Sequence, residues 1–264
     1  MNDIQNVIFD LFLEFKSICD KLGLKWYLIN GSALGAVRHN GFIPWDDDMD
    51  IGMPRKDYEI FIDKAQDMLS EHIFVQNYRT DKNFPLVYTK LRNSNTAFIE
   101  IGLKHLDMNH GIYLDIFPMD YYPENSDEQK KLKRKEKLLY WKILCAIDDK
   151  SKLKIRIRNT FFRILGFNKC TAKTIEKIEK LNMPFGESNL IRTSMKRIIK
   201  KEIYGDGKKA VFEGIEVNIP EKIDEYLKIK YGDWRKEPPK EKQKSHHLSV
   251  ICDANKGYKE YTNF

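Results

Sequence analysis

Four carboxylates crowd one short stretch of this chain: Asp46, Asp47, Asp48 and Asp50. Carboxylates packed this closely repel, and they stay ionised together only where a cation or buried donors compensate them. Asp48 and Asp50 are separated by Met49 and followed by Ile51. In a strand that alternation puts both acids on one face and both apolar side chains on the other. Adjacent carboxylates suit Mg²⁺ or Mn²⁺, hard cations that take oxygen ligands and usually share them with substrate phosphates. Upstream, a Gly31-Ser32 turn can bring backbone N–H groups and a hydroxyl to a phosphate. Further along, Asp115 sits between Leu114 and Ile116, a pattern that suits a carboxylate projecting from one sheet face.

Two other uses of the acidic run fit less well. A solvated loop would not carry Phe42, Ile43, Trp45, Met49 and Ile51 among its acids. A calcium loop would place Asp46, Asp48 and Asp50 at its first, third and fifth positions. Its sixth position would then be Ile51 instead of the required Gly, and its twelfth Asp57 instead of Glu.

The stretch 30–53 resembles the signature of the LicD family, which also holds the fukutin-type proteins. The resemblance rests on Gly31-Ser32, Leu34-Gly35, Arg38-His39 and the run Ile43-Pro44-Trp45-Asp46-Asp47-Asp48-Met49-Asp50. Weaker echoes are His110 to Pro118, Phe212-Glu213-Gly214, Ile219-Pro220, Tyr226-Leu227 and Tyr231-Gly232. The resemblance implies a nucleotidyltransferase fold. It also implies transfer of a phospho-alcohol, most often phosphocholine, from a CDP-linked donor to a cell-surface glycan, with CMP released. Asp48, Asp50 and Asp115 are then the catalytic and metal-binding set. Gly31, Ser32, Arg38, Trp45, Asp46, Asp47, Lys90 and Arg92 are the candidate substrate contacts. Lys90 and Arg92 alternate on one expected strand and so share a face. Asp115, Asp46 or Asp47 can take the acceptor's proton as general base. A choline head would want aromatic rings around it, and Trp26, Tyr27, Trp45, Tyr88 and Tyr113 lie near the motifs. A nucleotidyltransferase that uses an NTP and releases pyrophosphate stays open beside this reading, as does a non-catalytic binding protein on the same fold.

Elements that would hold these groups follow from hydrophobic period. Apolar residues at helical spacing predict a helix over 3–22 that Gly23 ends. A short strand over 25–29, a helical turn over 33–38 and a strand within 42–53 should carry the signature. An amphipathic helix over 57–70 follows, then strands over 74–78, 87–92, 97–102 and 111–117. Helices are expected over 128–147, 151–165 and near 171–181, then a strand over 216–219 and a helix from Pro220 to Lys230. The fold class is α/β (α+β): a nucleotidyltransferase-like mixed sheet with flanking helices plus a basic helical subdomain. The organisation is a catalytic core over 1–122, a basic helical subdomain over 123–200 facing acceptor or membrane, and a segment over 201–264 returning to the core. Within it, 238–245 reads as a mobile basic linker.

Charge is concentrated. Thirteen Lys or Arg stand against three acids between Lys130 and Arg163, while the net charge of the whole chain is +7. Helices with solvated basic faces explain this, and so does an interfacial surface over 130–165 meeting anionic lipid heads or a lipid-linked glycan. Nucleic acid is not the expected partner, since no recognised binding motif accompanies the charge. No apolar run is long enough for a transmembrane helix, and Asp3, Asp10 and Glu14 interrupt any signal-peptide pattern. Cys19, Cys145, Cys170 and Cys252 lack CxxC spacing and read as incidental thiols of a reducing cytoplasm. The expected location is the cytoplasm, with peripheral contact at the inner membrane face. His39, His110 and the His246-His247 pair read as structural or incidental groups.

Overall fold

A computed structural model describes residues 1–147, 172–182, 186–193, 198–245 and 248–261, together with positions 157, 160, 161 and 164. Most of the helix expected over 151–165, together with Cys170 and the His246-His247 pair, lies outside the described residues.

Helix α1 (Asp3–Leu22) opens the chain with a reciprocal cap. The Gln5 N–H donates to the Asn2 side chain, and the Gln5 side chain accepts from the Asn2 N–H. Gly23, at φ 63°, closes the helix in the left-handed region. Its buried stripe (Ile8, Leu11, Phe12, Phe15, Ile18 and Cys19) lies in the main core. There Phe12 and Phe15 each stand edge-to-face with Trp26, at 5.5 and 5.7 Å between ring centres.

The core sheet has seven strands among the described residues. Strands β1 (Tyr27–Leu28), β2 (Asp50–Pro54), β6 (Ile112–Tyr121), β4 (Thr89–Asn93) and β3 (Ile73–Gln76) lie in that order. β7 (Leu190–Thr193) extends the far half of β6 and pairs with β8 (Ile198–Lys200). β2 and β6 run parallel, whereas β4 lies antiparallel to β6. The sheet is therefore mixed, and the fold is α+β as expected.

Side-chain alternation divides this sheet chemically. Ile51, Met53, Leu91, Leu114 and Ile116 share one face, all buried. α1 and helix α3 (Arg55–Lys64) pack on it, and the Tyr58 hydroxyl meets Thr89 Oγ1 at 2.6 Å. Asp50, Asp115, Lys90 and Arg92 share the opposite face. One face makes the core; the other carries the charges.

Several expectations need correction. The strand that carries Asp50 begins at Asp50, so Asp48 lies in the loop before it. Met49 and Ile51 are fully buried nonetheless. Gly31 and Ser32 belong to the first turn of helix α2 (Asn30–Arg38), not to a turn ahead of it. Strand β5 (Ala97–Glu100) stays out of the main sheet and pairs with β11 (Ser249–Asp253). Residues 190–193 and 198–200 form β7 and β8 within a segment expected to be helical. Helix α4 (Ser126–Ala146) does form, and α5 (Ala172–Asn182) packs against it through Ile143, Ile175 and Ile178.

The last third of the chain returns to the main core. It contributes the short helix α6 (Lys201–Tyr204), the hairpin β9 (Lys208–Phe212) and β10 (Ile215–Ile219), and helix α7 (Ile223–Tyr231). Pro220 precedes α7 instead of opening it. Residues 240–242 form a single 3₁₀ turn, and the Ser245 hydroxyl donates to Asp47. The expected basic linker is thus tied to the acidic run.

Candidate active site

The signature loop between α2 and β2 is held from four directions. Gln5 Nε2 donates to the carbonyls of Ile43 and Asp46, at 3.3 and 3.0 Å. Ser32 Oγ accepts the Asp50 N–H at 2.8 Å, which joins the start of α2 to the start of β2. The Ile29 N–H donates to the Asp50 carbonyl at 3.0 Å, and Glu213 Oε1 accepts the Phe42 N–H at 3.0 Å. Glu213 and Gly214, both at positive φ, turn the β9–β10 hairpin so that its tip reaches the loop. The Phe212-Glu213-Gly214 echo therefore has a structural meaning: it clamps the signature.

Close backbone approach explains Gly35. A Cβ there would stand 2.4 Å from the Gly41 carbonyl oxygen, and neither side is a flexible side chain. Helix propensity alone would favour Gly35→Ala by about 1 kcal/mol. Overlap with the loop reverses that sign, and we expect a net loss of about 1–3 kcal/mol. The urea midpoint should fall with an unchanged m-value, whereas an unmoved midpoint would contradict the close approach.

The carboxylates fall into two groups. Asp46, Asp47 and Asp48 bring one oxygen each within 4.8 Å of the others. Asp50 and Asp115 form the second group, direct neighbours across the parallel β2–β6 pairing and 9% and 4% exposed. Lys90 is the neighbour of Asp115 on its other side, with Nζ 3.1 Å from Asp115 Oδ1 and 3.9 Å from Glu100 Oε2. The same ammonium lies 3.1 Å from the centre of the Tyr113 ring. A buried carboxylate needs a countercharge, and Lys90 supplies it.

Asp46, Asp48 and Asp50 line a cleft of about 640 Å³, with Asn30, Gly31, Arg38, Trp45, Lys230, Tyr231, Asp233, Trp234 and Lys236 among its other walls. Gly31 leaves room for Asp46, whose Oδ2 would stand 2.8 Å from a Cβ at that position. No side chain caps α2, and Asn30 and Gly31 of its first turn face the cleft. Its N-terminal N–H groups and helix dipole suit an anion there. Arg38 reaches the Trp234 carbonyl at 3.1 Å and donates to His39 Nε2 at 3.0 Å. Burial, then the Arg38 charge, pushes His39 below its usual value, so the ring is neutral and can accept.

Most of the other sequence candidates lie elsewhere. Arg92 has no exposed surface: it donates to Gln76 at 2.7 Å and to the Gly111 carbonyl at 2.6 Å, and lies 3.6 Å from Glu100. It braces the charged face from beneath and does not line the cleft. Lys90 does not line it either; it faces Asp115. Trp45 is on the cleft wall, its ring nearly at a right angle to that of His39. Trp26 and Tyr27 are buried, Trp26 against α1 and Tyr27 with its hydroxyl on the Gly205 carbonyl. His110 is buried, with Nε2 2.9 Å from the Leu106 carbonyl.

Phenols report the local field. Burial, then Asp115, Glu100 and Asp50, pushes the Tyr88 hydroxyl up. Burial, then Glu100, Asp115 and Asp48, does the same to Tyr113. At the cleft, desolvation followed by Asp50, Asp46 and Asp48 raises Tyr231. All three stay protonated at neutral pH.

Sequence reasoning missed Gln5, Asn30, Lys230, Trp234 and Lys236. Tyr226 and Tyr231 were visible as echoes without a role. Tyr226 accepts the Asn30 N–H at 3.0 Å, and Asn30 itself sits at φ 50°.

A carboxylate-lined cleft thus opens beside a mixed sheet, with the N-terminus of α2 in its wall. Residues 23–144 match the family described as LicD/FKTN/FKRP, nucleotidyltransferase domain. The lipopolysaccharide cholinephosphotransferase LicD of Haemophilus influenzae is 26% identical over 265 residues, covering 94% of this chain and 96% of its own. An uncharacterized protein of Rickettsia prowazekii is 29% identical over 118 residues, or 45% of this chain and 41% of its own. One of Rickettsia typhi is 31% identical over 121 residues, or 45% of this chain and 36% of its own.

Proposed function

We propose that this protein is a metal-dependent transferase that moves a phospho-alcohol, phosphocholine in the first place, from a CDP-linked donor to a hydroxyl of a cell-surface glycan, releasing CMP. The observation that carries the reading is the in-register pair Asp50 and Asp115, beside a cleft that also holds Asp48 and three cationic side chains. The length of the match to the Haemophilus cholinephosphotransferase supports the choice of phosphocholine and of a glycan acceptor.

The donor set fits a hard cation, being all oxygen and all carboxylate: Asp48 and Asp50 line the cleft, and Asp115 is the strand neighbour of Asp50. Asp48, Asp50 and Asp115 would hold Mg²⁺ or Mn²⁺, which when bound neutralises a diphosphate and polarises the phosphorus under attack. The chain's own groups do the rest by positioning, the main need in phosphoryl-type transfer. Lys90 is the countercharge that holds Asp115 in place. Arg38, Lys230 and Lys236 put positive charge on the phosphate side of the cleft. The N-terminal N–H groups of α2 add donors there. Asp46 or Asp47, on the accessible rim, takes the proton of the attacking hydroxyl.

The direct test is ³¹P NMR with Mg²⁺ or Mn²⁺ and CDP-choline, CDP-ethanolamine and CDP-ribitol in separate samples. Growth of CMP with one donor names the alcohol. Pyrophosphate from an NTP, with every CDP-linked donor inert in the presence of glycan acceptor, would replace this reading with nucleotidyl transfer.

An acceptor carried on lipid would bring the enzyme to a membrane surface. No helix among the described residues is long and apolar enough to cross one. Lys131, Lys133, Arg134 and Lys135 are all exposed on α4, and each such cation contributes about 1 kcal/mol of attraction near an anionic surface. Neutralising the four to Gln should cut co-sedimentation with phosphatidylserine liposomes at least tenfold, and unchanged binding would remove the membrane from the proposal.

A further inference from the structure

Two residues of the cleft wall carry a polar atom sealed from water and without a hydrogen-bond partner among the described residues: Trp234 at Nε1 and Asn30 at Oδ1. Trp234 is only 8% exposed. Both residues are anchored through the backbone. The Trp234 carbonyl accepts from Arg38, and its ring lies 4.3 Å from the Arg235 guanidinium. Asn30 is fixed by the Tyr226 hydroxyl on its N–H. Buried polar groups normally find partners, and an exception inside a substrate cleft points to a partner that arrives with the ligand.

The chemistry of the two atoms narrows what arrives. An indole N–H only donates and an amide oxygen only accepts. One ligand group satisfies both if it accepts once and donates once, as a hydroxyl does. A trimethylammonium head does neither, and an ionised phosphate only accepts. We propose that Trp234 Nε1–H and Asn30 Oδ1 grip one sugar hydroxyl, of either the donor's ribose or the acceptor glycan. Trp234 is thereby a substrate-binding residue, opposite in duty to the carboxylates that serve the phosphate. A small rotation of the indole toward the cleft admits the hydroxyl. The inference rests on the cleft being the substrate site.

The test uses full-length protein with ¹⁵N-labelled indoles. Its four tryptophans give four indole N–H resonances, and Trp234→Phe assigns one of them while keeping a ring in place. With Mg²⁺ present, CMP, 2′-deoxy-CMP, 3′-deoxy-CMP, methyl galactoside and methyl glucoside are titrated separately. CMP should move the Trp234 resonance, and one deoxy analogue should fail to. Trp234→Phe should weaken CMP binding about tenfold with its melting temperature unchanged. A shift with the glycosides and none with CMP assigns the hydroxyl to the acceptor. If no sugar moves the resonance, or if Trp234→Phe binds as the unmodified protein does, the inference is overturned. Turnover of CDP-choline, followed in the same samples, separates the two failures. Turnover beside an unmoved Trp234 removes the grip alone, and a moved Trp234 with every CDP-linked donor inert in the presence of glycan acceptor removes the transferase reading alone.

Discussion

Asp50→Asn is expected to lower turnover of the CDP-linked donor by about a thousandfold or more, equivalent to roughly 4 kcal/mol of lost transition-state stabilisation. The substitution keeps the shape of the side chain and removes its charge. The backbone of Asp50 is fixed by the Ser32 hydroxyl on its N–H and by the Ile29 N–H on its carbonyl, and its side chain is opposed by Asp115 across the strand pair. Relief of repulsion between neighbouring carboxylates should leave the melting temperature unchanged or slightly raised. Turnover and Mn²⁺ affinity should fall together. A variant that retains turnover in Mg²⁺ would show that the paired carboxylates on β2 and β6 are not where the chemistry happens. Asp48→Asn offers the internal comparison. It sits in the loop before β2 and lines the same cleft, so it should also lose turnover, with even less effect on stability.

The parts of this site written in local spacing were legible from sequence; those made by long-range contact were not. Alternation around Met49 and Ile51 told which side of the backbone the acids take, although the strand itself begins only at Asp50. Leu114-Asp115-Ile116 announced a carboxylate on a strand. That Asp115 stands directly opposite Asp50 is a matter of register, fixed by the burial of Ile51 with Ile116 on the far face. Lys90 and Arg92 were seen to share a face, yet their burial was not foreseeable: Lys90 goes inside because Asp115 and Glu100 meet it there. The cleft's second wall comes from 230–238, nearly two hundred residues downstream of the signature. Only the pairs Tyr226-Leu227 and Tyr231-Gly232 hinted at it. Gln5 carries no signal beyond its place in a capping box, because its second duty, holding the carbonyls of Ile43 and Asp46, arises from how α1 docks.

Arg192→Met should cost about 3–5 kcal/mol, because it leaves the Glu136 carboxyl buried and without its guanidinium. The two side chains are 6% and 4% exposed and meet in a two-pronged pairing at 2.9 and 2.5 Å. Arg192 also lies 4.5 Å from the centre of the Tyr122 ring. For a chain of this size the melting temperature should drop by about 10 °C. Removing both charges, as Arg192→Met with Glu136→Leu, should recover most of the loss, since an apolar pair of similar volume replaces a buried ion pair at little cost. Equal losses in the single and double variants would mean that packing against Tyr122, and not the stranded carboxylate, sets the penalty. The position of the pair decides its effect on function. Glu136 belongs to α4 and Arg192 to β7, which pairs with β6 beyond Asp115, at Met119 to Tyr121. The contact therefore fastens the basic helix to the far end of the strand that carries the catalytic candidate. Below its melting temperature the single variant should turn over the donor as the unmodified protein does, because the paired carboxylates and the cleft stand at the other end of β6. A fall in turnover per folded molecule, measured with the fold verified by circular dichroism, would mean that docking of α4 helps to set the position of Asp115.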